Sequence, residues 1–162
     1  MSASDTAAIR TEARRDHWWA LGLSLAALAL YVATLAPTVA TIFDDSLEFQ
    51  VVLPSLGIAH PTGYPLYTLL GWFFSRLPIG DLAYRINLLS ALAGAAAVGV
   101  MFLTARRLGS GRLPAALMAA VFALSATWWS QATIAEVYTL HGLAVALILY
   151  LTLSDRGTRT PW

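Results

Sequence analysis

Four long runs of apolar residues constrain the fold of this chain more than any other feature. They extend over residues 18–36, 82–105, 113–129 and 137–153. Each is close to the roughly 20 residues that a helix needs to cross a hydrocarbon core about 30 Å thick. Because 58% of the residues are hydrophobic and 12% are charged, the composition is also untypical of a soluble domain. The pattern predicts an all-α, polytopic membrane protein with four transmembrane helices in a lipid bilayer.

The arginines predict which side of the membrane each connection occupies. Cytoplasmic loops near span ends carry the excess of basic residues. With the N-terminus inside, eight arginines become cytoplasmic, and only Arg76 and Arg85 lie outside. The eight are Arg10, Arg14, Arg15, Arg106, Arg107, Arg112, Arg156 and Arg159. The long first loop and the joint at residues 129–136 are therefore expected on the non-cytoplasmic side.

This topology divides the chain into three parts. Residues 1–17 are a polar cytoplasmic segment, 18–154 a transmembrane domain and 155–162 a cytoplasmic tail. The first outer loop, residues 37–81, is expected to carry one or two short helices lying along the membrane interface. A cleaved signal peptide ending near Ala40 is the alternative interpretation of the first run.

Charge, cysteine content and missing motifs argue against several classes of function. The net charge is +1 and no basic block occurs, so nucleic acid is not an expected partner. The chain has no cysteine, which excludes thiolate metal sites and cysteine nucleophiles. No Walker A, GxGxxG, HExxH or GxSxG motif occurs either. No cofactor is therefore predicted.

An acidic segment just after the first run is the strongest candidate site. Asp44, Asp45 and Glu48 lie within five residues, and helical spacing would bring Glu48 beside the two aspartates. Carboxylates near a bilayer are costly unless they are paired or functional. The alternative is a capping box, with Asp45 as N-cap and Glu48 at N3. Three carboxylates could also hold a divalent cation, although one short cluster is weak support for a metal.

Two further segments of the outer side add candidates. His60 and Tyr64 lie in a turn imposed by prolines and a glycine; His60 could transfer protons or act as a hydrogen-bonding strut, and Tyr64 could contact substrate or pack at the interface. Arg85 could bind a phosphate or pair with Asp81.

The joint before the last span contributes two more residues. Glu136 is delivered to the outer face, where it could pair with Arg85 or line a substrate groove. Tyr138 follows as a further candidate for substrate contact.

Four ordered blocks carry a resemblance to a known family. They are Asp45–Phe49, Ala59–Tyr67, Tyr84–Ala91 and Ala135–Leu140. Their order resembles the N-terminal part of a bacterial membrane family of formerly unknown function, whose animal relatives are protein O-mannosyltransferases. That family looks like the GT-C class of glycosyltransferases. Because such proteins have many more spans, the resemblance implies that residues 18–154 are part of a larger transmembrane domain.

The resemblance implies a specific activity. A sugar, mannose in the animal relatives, would pass from a polyprenyl-phosphate carrier to a hydroxyl group of a protein or glycan at the outer face of the bacterial plasma membrane. Asp45 would be the general base and Glu48 would orient it or the acceptor. Arg85, or His60, would stabilise the leaving phosphate. A non-catalytic subunit, a transporter component and a lipid-carrier binder are the alternative interpretations.

Overall fold

All the regular secondary structure in the described part of the chain is helical. The computed structural model describes the backbone of residues 3–40 and 44–156, and the side chains of residues 11–40 and 45–153. The all-α prediction is confirmed. The helices are α1 (Ala3–Ala33), α2 (Asp44–Val52), α3 (Pro65–Ser75), α4 (Leu82–Arg107), α5 (Arg112–Leu124), α6 (Ala126–Ala132) and α7 (Tyr138–Arg156), with a 3-10 turn at Leu53–Ser55.

Helix α4 is the central helix of the fold. It packs against α1 and α7 along its length and against α5 and α6 on another side. Its buried face is rich in small residues, including Ala91, Ala95 and Gly94, which let neighbouring helices approach closely. Larger side chains, such as Tyr31 and Phe102, fill the remaining space and are fully buried. The core of the molecule therefore surrounds α4 on most of its sides.

The helices differ in how well they suit a membrane. Among the described residues, α4 alone is long and apolar enough to cross a bilayer. Helices α5 and α6 would together pass the same test as one broken span, but they meet at an angle of 64°. The apolar part of α7, Tyr138–Leu153, is shorter. Length and composition thus support one span, or two if the bent pair is counted, and the four expected spans are not confirmed.

The expected boundaries of the transmembrane domain fall inside helices. Helix α1 passes through residue 17 without a break and ends at Ala33, three residues before the end of the first apolar run. Helix α7 continues past residue 154 to Arg156. The polar segment is thus helical from Ala3 onward and continuous with the first apolar run.

Charged residues join three helices at one end of the fold. The carboxylate of Asp16 on α1 accepts hydrogen bonds from Arg106 of α4 at 2.9 Å and from Arg112 of α5 at 2.7 Å. Arg112 also lies 3.7 Å from the carboxylate of Glu12. These ion pairs hold the N-terminal half of α1 against the connection between α4 and α5.

The loop between α1 and α4 folds back on α4 as a helical hairpin. It contains the short helices expected there, α2 and α3, joined through the 3-10 turn and the segment 56–64. Phe49, Leu53 and Tyr67 form a buried cluster with Ile86 and Leu89 of α4. This second core fixes the hairpin on the end of α4 that begins at Leu82.

Candidate functional site

The buried face of α2 determines where its acidic residues point. Ser46, Phe49, Gln50 and Leu53 are buried, at the i, i+3, i+4 and i+7 spacing of a helix face. Asp45 and Glu48 stand at the edge of that face and keep 44% and 32% of their side chains exposed. The sequence therefore forms a helix whose buried side anchors it and whose acids remain accessible.

Glu48 contacts His60 through both of its carboxylate oxygens. Its Oε1 accepts the backbone N–H of His60 at 2.8 Å, and its Oε2 makes a very close contact with Nδ1 of the imidazole. Helix α2 begins at Asp44, so Asp45 lies in the first turn instead of at the N-cap. Glu48 is engaged by His60, and the capping-box interpretation of this pair is therefore wrong.

The other imidazole nitrogen of His60 faces Asp45 and Tyr64. Its Nε2 lies 3.9 Å from Oδ2 of Asp45 and 3.3 Å from the hydroxyl of Tyr64. Three of the predicted site residues, Asp45, Glu48 and His60, are thereby brought together, with Tyr64 at the rim. The imidazole bridges two carboxylates across the gap between α2 and the turn.

The turn at residues 60–64 holds His60 in this position. Gly63 adopts a positive φ of 83°, a conformation that glycine accepts without steric cost, and its N–H donates to the carbonyl of His60 at 2.8 Å. Pro65 then starts α3. The ring of Phe49 packs against the rings of His60 and Tyr64, with centroids 6.0 and 5.6 Å apart.

The Glu48–His60 contact shifts the pKa of each partner. The hydrogen bond to Glu48 raises the pKa of His60 above its ordinary value of 6.5, and the negative charges of Asp45 and Glu136 act in the same direction. The same hydrogen bond lowers the pKa of Glu48 below its ordinary 4.5. Both shifts favour an imidazolium paired with a carboxylate near neutral pH.

Glu136 lies beneath this cluster and is only 1% exposed. Its Oε1 accepts a hydrogen bond from the Ser46 hydroxyl at 2.9 Å, across 90 residues of sequence. Burial raises the pKa of Glu136, and the charge of Asp45 adds to that effect. Glu136 is thus joined to the helix that carries the acids instead of to Arg85.

Sequence reasoning missed the polar residues that surround Glu136. The Ser90 hydroxyl donates to the carbonyl of Glu136 at 3.0 Å and accepts its N–H at 3.1 Å. The hydroxyl of Tyr67 lies 3.1 Å from the same Ser90 oxygen. Ser46, Tyr67 and Ser90 all lie inside the blocks that carry the family resemblance, which was the available signal.

Arg85 is occupied by backbone carbonyls. Its guanidinium donates to the carbonyls of Ser75, Ile79 and Gly80 at 2.8, 2.8 and 3.1 Å. Asp81 instead caps α4, where its Oδ1 accepts the N–H of Tyr84 at 2.7 Å. The guanidinium therefore holds the connection between α3 and α4 together. The expected contact of Arg85 with a phosphate stays a prediction.

Two other predicted residues lie apart from the cluster or beyond description. Tyr138 is the first residue of α7 and is 56% exposed. The side chain of Asp44 lies outside the described side chains. Their predicted contacts with substrate stay predictions.

The cluster also has the composition of a metal site. One ligand atom each of Asp45, Glu48 and His60 lies within 4.8 Å of the others, a spacing that a divalent cation could bridge. Glu48 and His60 already satisfy each other through the contacts described above. We assign no metal to these residues.

Comparison with known proteins places the site within a family. Residues 45–161 match the family described as the Protein O-mannosyl-transferase TMEM260 N-terminal domain. The chain belongs to this family. The matched region begins at Asp45 and contains Glu48, His60 and Glu136, so the cluster lies in the part that defines membership of the TMEM260 family.

Two curated relatives support membership of the TMEM260 family. A Mus musculus protein named Protein O-mannosyl-transferase TMEM260 is 43% identical over 109 residues, which are 67% of this chain and 16% of the mouse protein. A Dictyostelium discoideum protein named Protein O-mannosyl-transferase tmem260 is 31% identical over 132 residues, 80% of this chain and 16% of that protein. The match thus covers about a sixth of each relative. No solved structure matches the chain.

Proposed function

We propose that the protein containing this chain is a membrane mannosyltransferase of the GT-C type. It would transfer mannose from a polyprenyl-phosphate carrier to a hydroxyl group of a protein on the non-cytoplasmic side. The observation that carries the proposal is the convergence of Asp45, Glu48 and His60 on one accessible edge of α2. Membership of a family whose members are named protein O-mannosyl-transferases supports the choice of sugar and acceptor.

Asp45 is suited to act as the general base. Its carboxylate is 44% exposed and is 3.9 Å from the imidazole, so an oxygen remains free to accept a proton. As the acceptor hydroxyl attacks the anomeric carbon, a carbon–oxygen bond forms, and the bond from that carbon to the carrier phosphate breaks. The hydroxyl proton passes to Asp45 and the electron pair leaves with the phosphate. Direct attack inverts the configuration of the sugar.

His60 is suited to stabilise the leaving phosphate. Glu48 orients its ring and favours its positively charged form by raising its pKa, while Nε2 faces the side where Asp45 and Tyr64 lie. A fixed positive charge is most effective where negative charge develops in the transition state. Among the predicted phosphate ligands, His60 therefore has stronger support than Arg85, whose donors bind backbone carbonyls.

We also propose that all four apolar runs span the membrane with the N-terminus inside. Large apolar side chains cover the outward faces of α1, α5 and α7; those that are more than half exposed include Leu25, Leu117, Val121, Leu124, Ile148 and Leu151. Such surfaces are costly in water and suit lipid. The ion pairs of Asp16 with Arg106 and Arg112 join two expected cytoplasmic segments, the N-terminal segment and the α4–α5 connection.

The hairpin of α2 and α3 would then lie at the outer membrane interface. Ile58, Leu66 and Phe73 are 90%, 59% and 56% exposed. The guanidinium of Arg76 stacks on Trp72, 5.1 Å from the ring, a pairing suited to the headgroup level. We place the protein in the bacterial plasma membrane, on the support of the sequence resemblance.

A comparison of sugar donors tests the proposed reaction. The purified full-length protein in detergent is given radiolabelled mannose either as polyprenyl-phospho-mannose or as a nucleotide sugar, with a mixture of protein acceptors. Label should enter protein from the lipid-linked donor only. Transfer from the nucleotide sugar would contradict the proposed carrier. Binding of polyprenyl phosphate without transfer would instead identify a lipid-carrier binder.

A further inference from the structure

A buried line of hydrogen bonds connects α2 with three other elements. Ser46 of α2 donates to the Glu136 carboxylate, and Glu136 is held at both backbone groups by Ser90 of α4. Tyr67 of α3 meets Ser90 from the other side. Burial raises the pKa of Tyr67, so its hydroxyl keeps its proton and can donate to Ser90. All four residues are 1% exposed or less.

The orientation of α2 about its own axis explains why these buried hydrogen bonds matter for the site. Residues of a helix are about 100° apart, so Asp45 and Glu48, three positions apart, lie about 60° from one another around the axis. Ser46 lies between the two acids in the sequence, and its side chain is buried. Any rotation of the first turn that moves Ser46 away from Glu136 also moves the two acids relative to His60.

Glu136 is placed to prevent that rotation. Its side chain is buried, and its Oε1 is engaged by Ser46. Its Oε2 has no hydrogen-bond partner among the described residues, so the buried carboxyl group carries a desolvation cost that an apolar side chain would avoid. A second polar tie between α2 and the core, from Gln50 to Asn87 at 3.3 Å, lies one turn after Ser46 and five residues from Asp45.

We propose that Glu136 is a positioning residue that fixes the first turn of α2 through Ser46 and so sets the geometry of Asp45, Glu48 and His60. It contacts none of the reacting atoms in this role. The inference rests on the proposed transfer reaction for its kinetic consequence, whereas its structural consequence, the Glu48–His60 contact, can be measured without any reaction.

Three variants and one control test the proposal in the full-length protein. Glu136→Ala and Ser46→Ala remove the tie, which is the hydrogen bond between Ser46 and Glu136. Glu136→Gln keeps an oxygen that can accept a hydrogen bond from Ser46, and it mimics a neutral carboxyl group. Thr139→Val is the matched control, because Thr139 is equally buried and its hydroxyl has no partner in the described part of the chain. Each variant is measured for folding, for transfer kinetics and for the His60 titration by nitrogen-15 NMR.

The expected pattern separates positioning from chemistry. Glu136→Ala and Ser46→Ala should lower kcat about 100-fold, the order of loss that follows a shift of a catalytic group by about 1 Å. They should also lower the pKa of His60, which faces Asp45, Glu48, Tyr64 and the charge of Glu136. Glu136→Gln should restore most of kcat, and Thr139→Val should behave as wild type.

Other outcomes would overturn the proposal in distinct ways. An unchanged His60 titration in Ser46→Ala would show that the tie does not position the cluster. A Glu136→Gln variant as inactive as Glu136→Ala would assign Glu136 a direct role in the chemistry. If the wild type transfers no sugar, the proposed function fails, but the NMR titrations of Ser46→Ala and Thr139→Val still decide whether the tie positions His60.

Discussion

At the scale of single residues, the contact between Glu48 and His60 organises the site. Two points of attachment, to the backbone N–H and to the ring, fix the imidazole more firmly than one hydrogen bond could. The raised pKa of His60 means that the pair stabilises the fold fully below about pH 6.5, and that this contribution disappears as the pH rises through the raised value. Because the pKa of Glu48 is lowered, the contribution of Glu48 to stability is present above about pH 4.5 and is lost as the pH falls through the lowered value.

We predict that Glu48→Gln lowers the pKa of His60, because the neutral amide no longer favours the charged imidazole. The change can be followed by nitrogen-15 NMR of the ring. His17 serves as the internal control, since its Nδ1 contacts the carbonyl of Ala13 instead of a carboxylate. A His60 pKa that stays raised in Glu48→Gln would contradict the assigned pairing.

The sequence allowed the candidate site residues to be chosen, but it did not predict which residues they contact. Helical spacing correctly brought Asp45 and Glu48 to one side of α2, because that geometry is local. The Glu48–His60 contact crosses a 12-residue gap through an irregular turn, and the Ser46–Glu136 contact crosses 90 residues. Spacing cannot predict such contacts, because they depend on how the hairpin packs on α4. The capping-box pattern failed because Glu48 has a stronger partner outside its own helix.

At the scale of helices, the hairpin depends on close packing at Gly71. A Cβ atom added there would lie 2.5 Å from Cδ1 and 2.9 Å from Cβ of Leu53. Only glycine therefore allows α3 to approach the 3-10 turn that carries Leu53. The position of α3 matters for the site, because Tyr64 and Tyr67 belong to its beginning.

We predict that Gly71→Ala destabilises the protein by about 1–3 kcal/mol, the usual cost of overpacking. Thermal unfolding in detergent would measure the change. Gly22→Ala is the matched control, because nothing lies within 4 Å of a Cβ at that position of α1. The control should be neutral or slightly stabilising. Equal stability of the two variants would contradict the described packing of α3.

A second prediction at this scale concerns the ion pairs between α1 and the α4–α5 connection. Asp16→Asn should destabilise the helix assembly by about 1.5–3 kcal/mol, because it weakens charged hydrogen bonds to Arg106 and Arg112 that are only partly exposed. Glu12→Gln, whose side chain is 66% exposed, should cost less than about 1 kcal/mol. Chemical denaturation would measure the free energy of unfolding of both variants. A larger loss of stability in Glu12→Gln than in Asp16→Asn would refute this account.

At the scale of the whole molecule, the fold class was predictable and the membrane topology remains a proposal. The apolar runs predicted helices, and helices form there. The number of spans is harder to predict, because α5 ends at Leu124 and α6 turns away by 64°. A break of that kind leaves little trace in a hydropathy pattern, since the residues on both sides are apolar.

Single cysteines would test the proposed sidedness. The chain has none of its own, so Thr62→Cys in the hairpin and Leu108→Cys after α4 can be introduced one at a time. In the full-length protein cleared of other cysteines, an impermeant maleimide added to intact cells should label position 62 only. Labelling of position 108 alone would place the cluster on the cytoplasmic side.

The most direct test of the central claim is mannose transfer by Asp45→Asn compared with the wild type. The full-length proteins would be assayed with polyprenyl-phospho-mannose and protein acceptors, with Glu12→Gln as a control for loss of a carboxylate elsewhere. If Asp45 is the general base, the variant should lose about 10²- to 10⁴-fold in kcat while its donor KM stays close to that of the wild type. Transfer by Asp45→Asn at the wild-type rate would contradict the account.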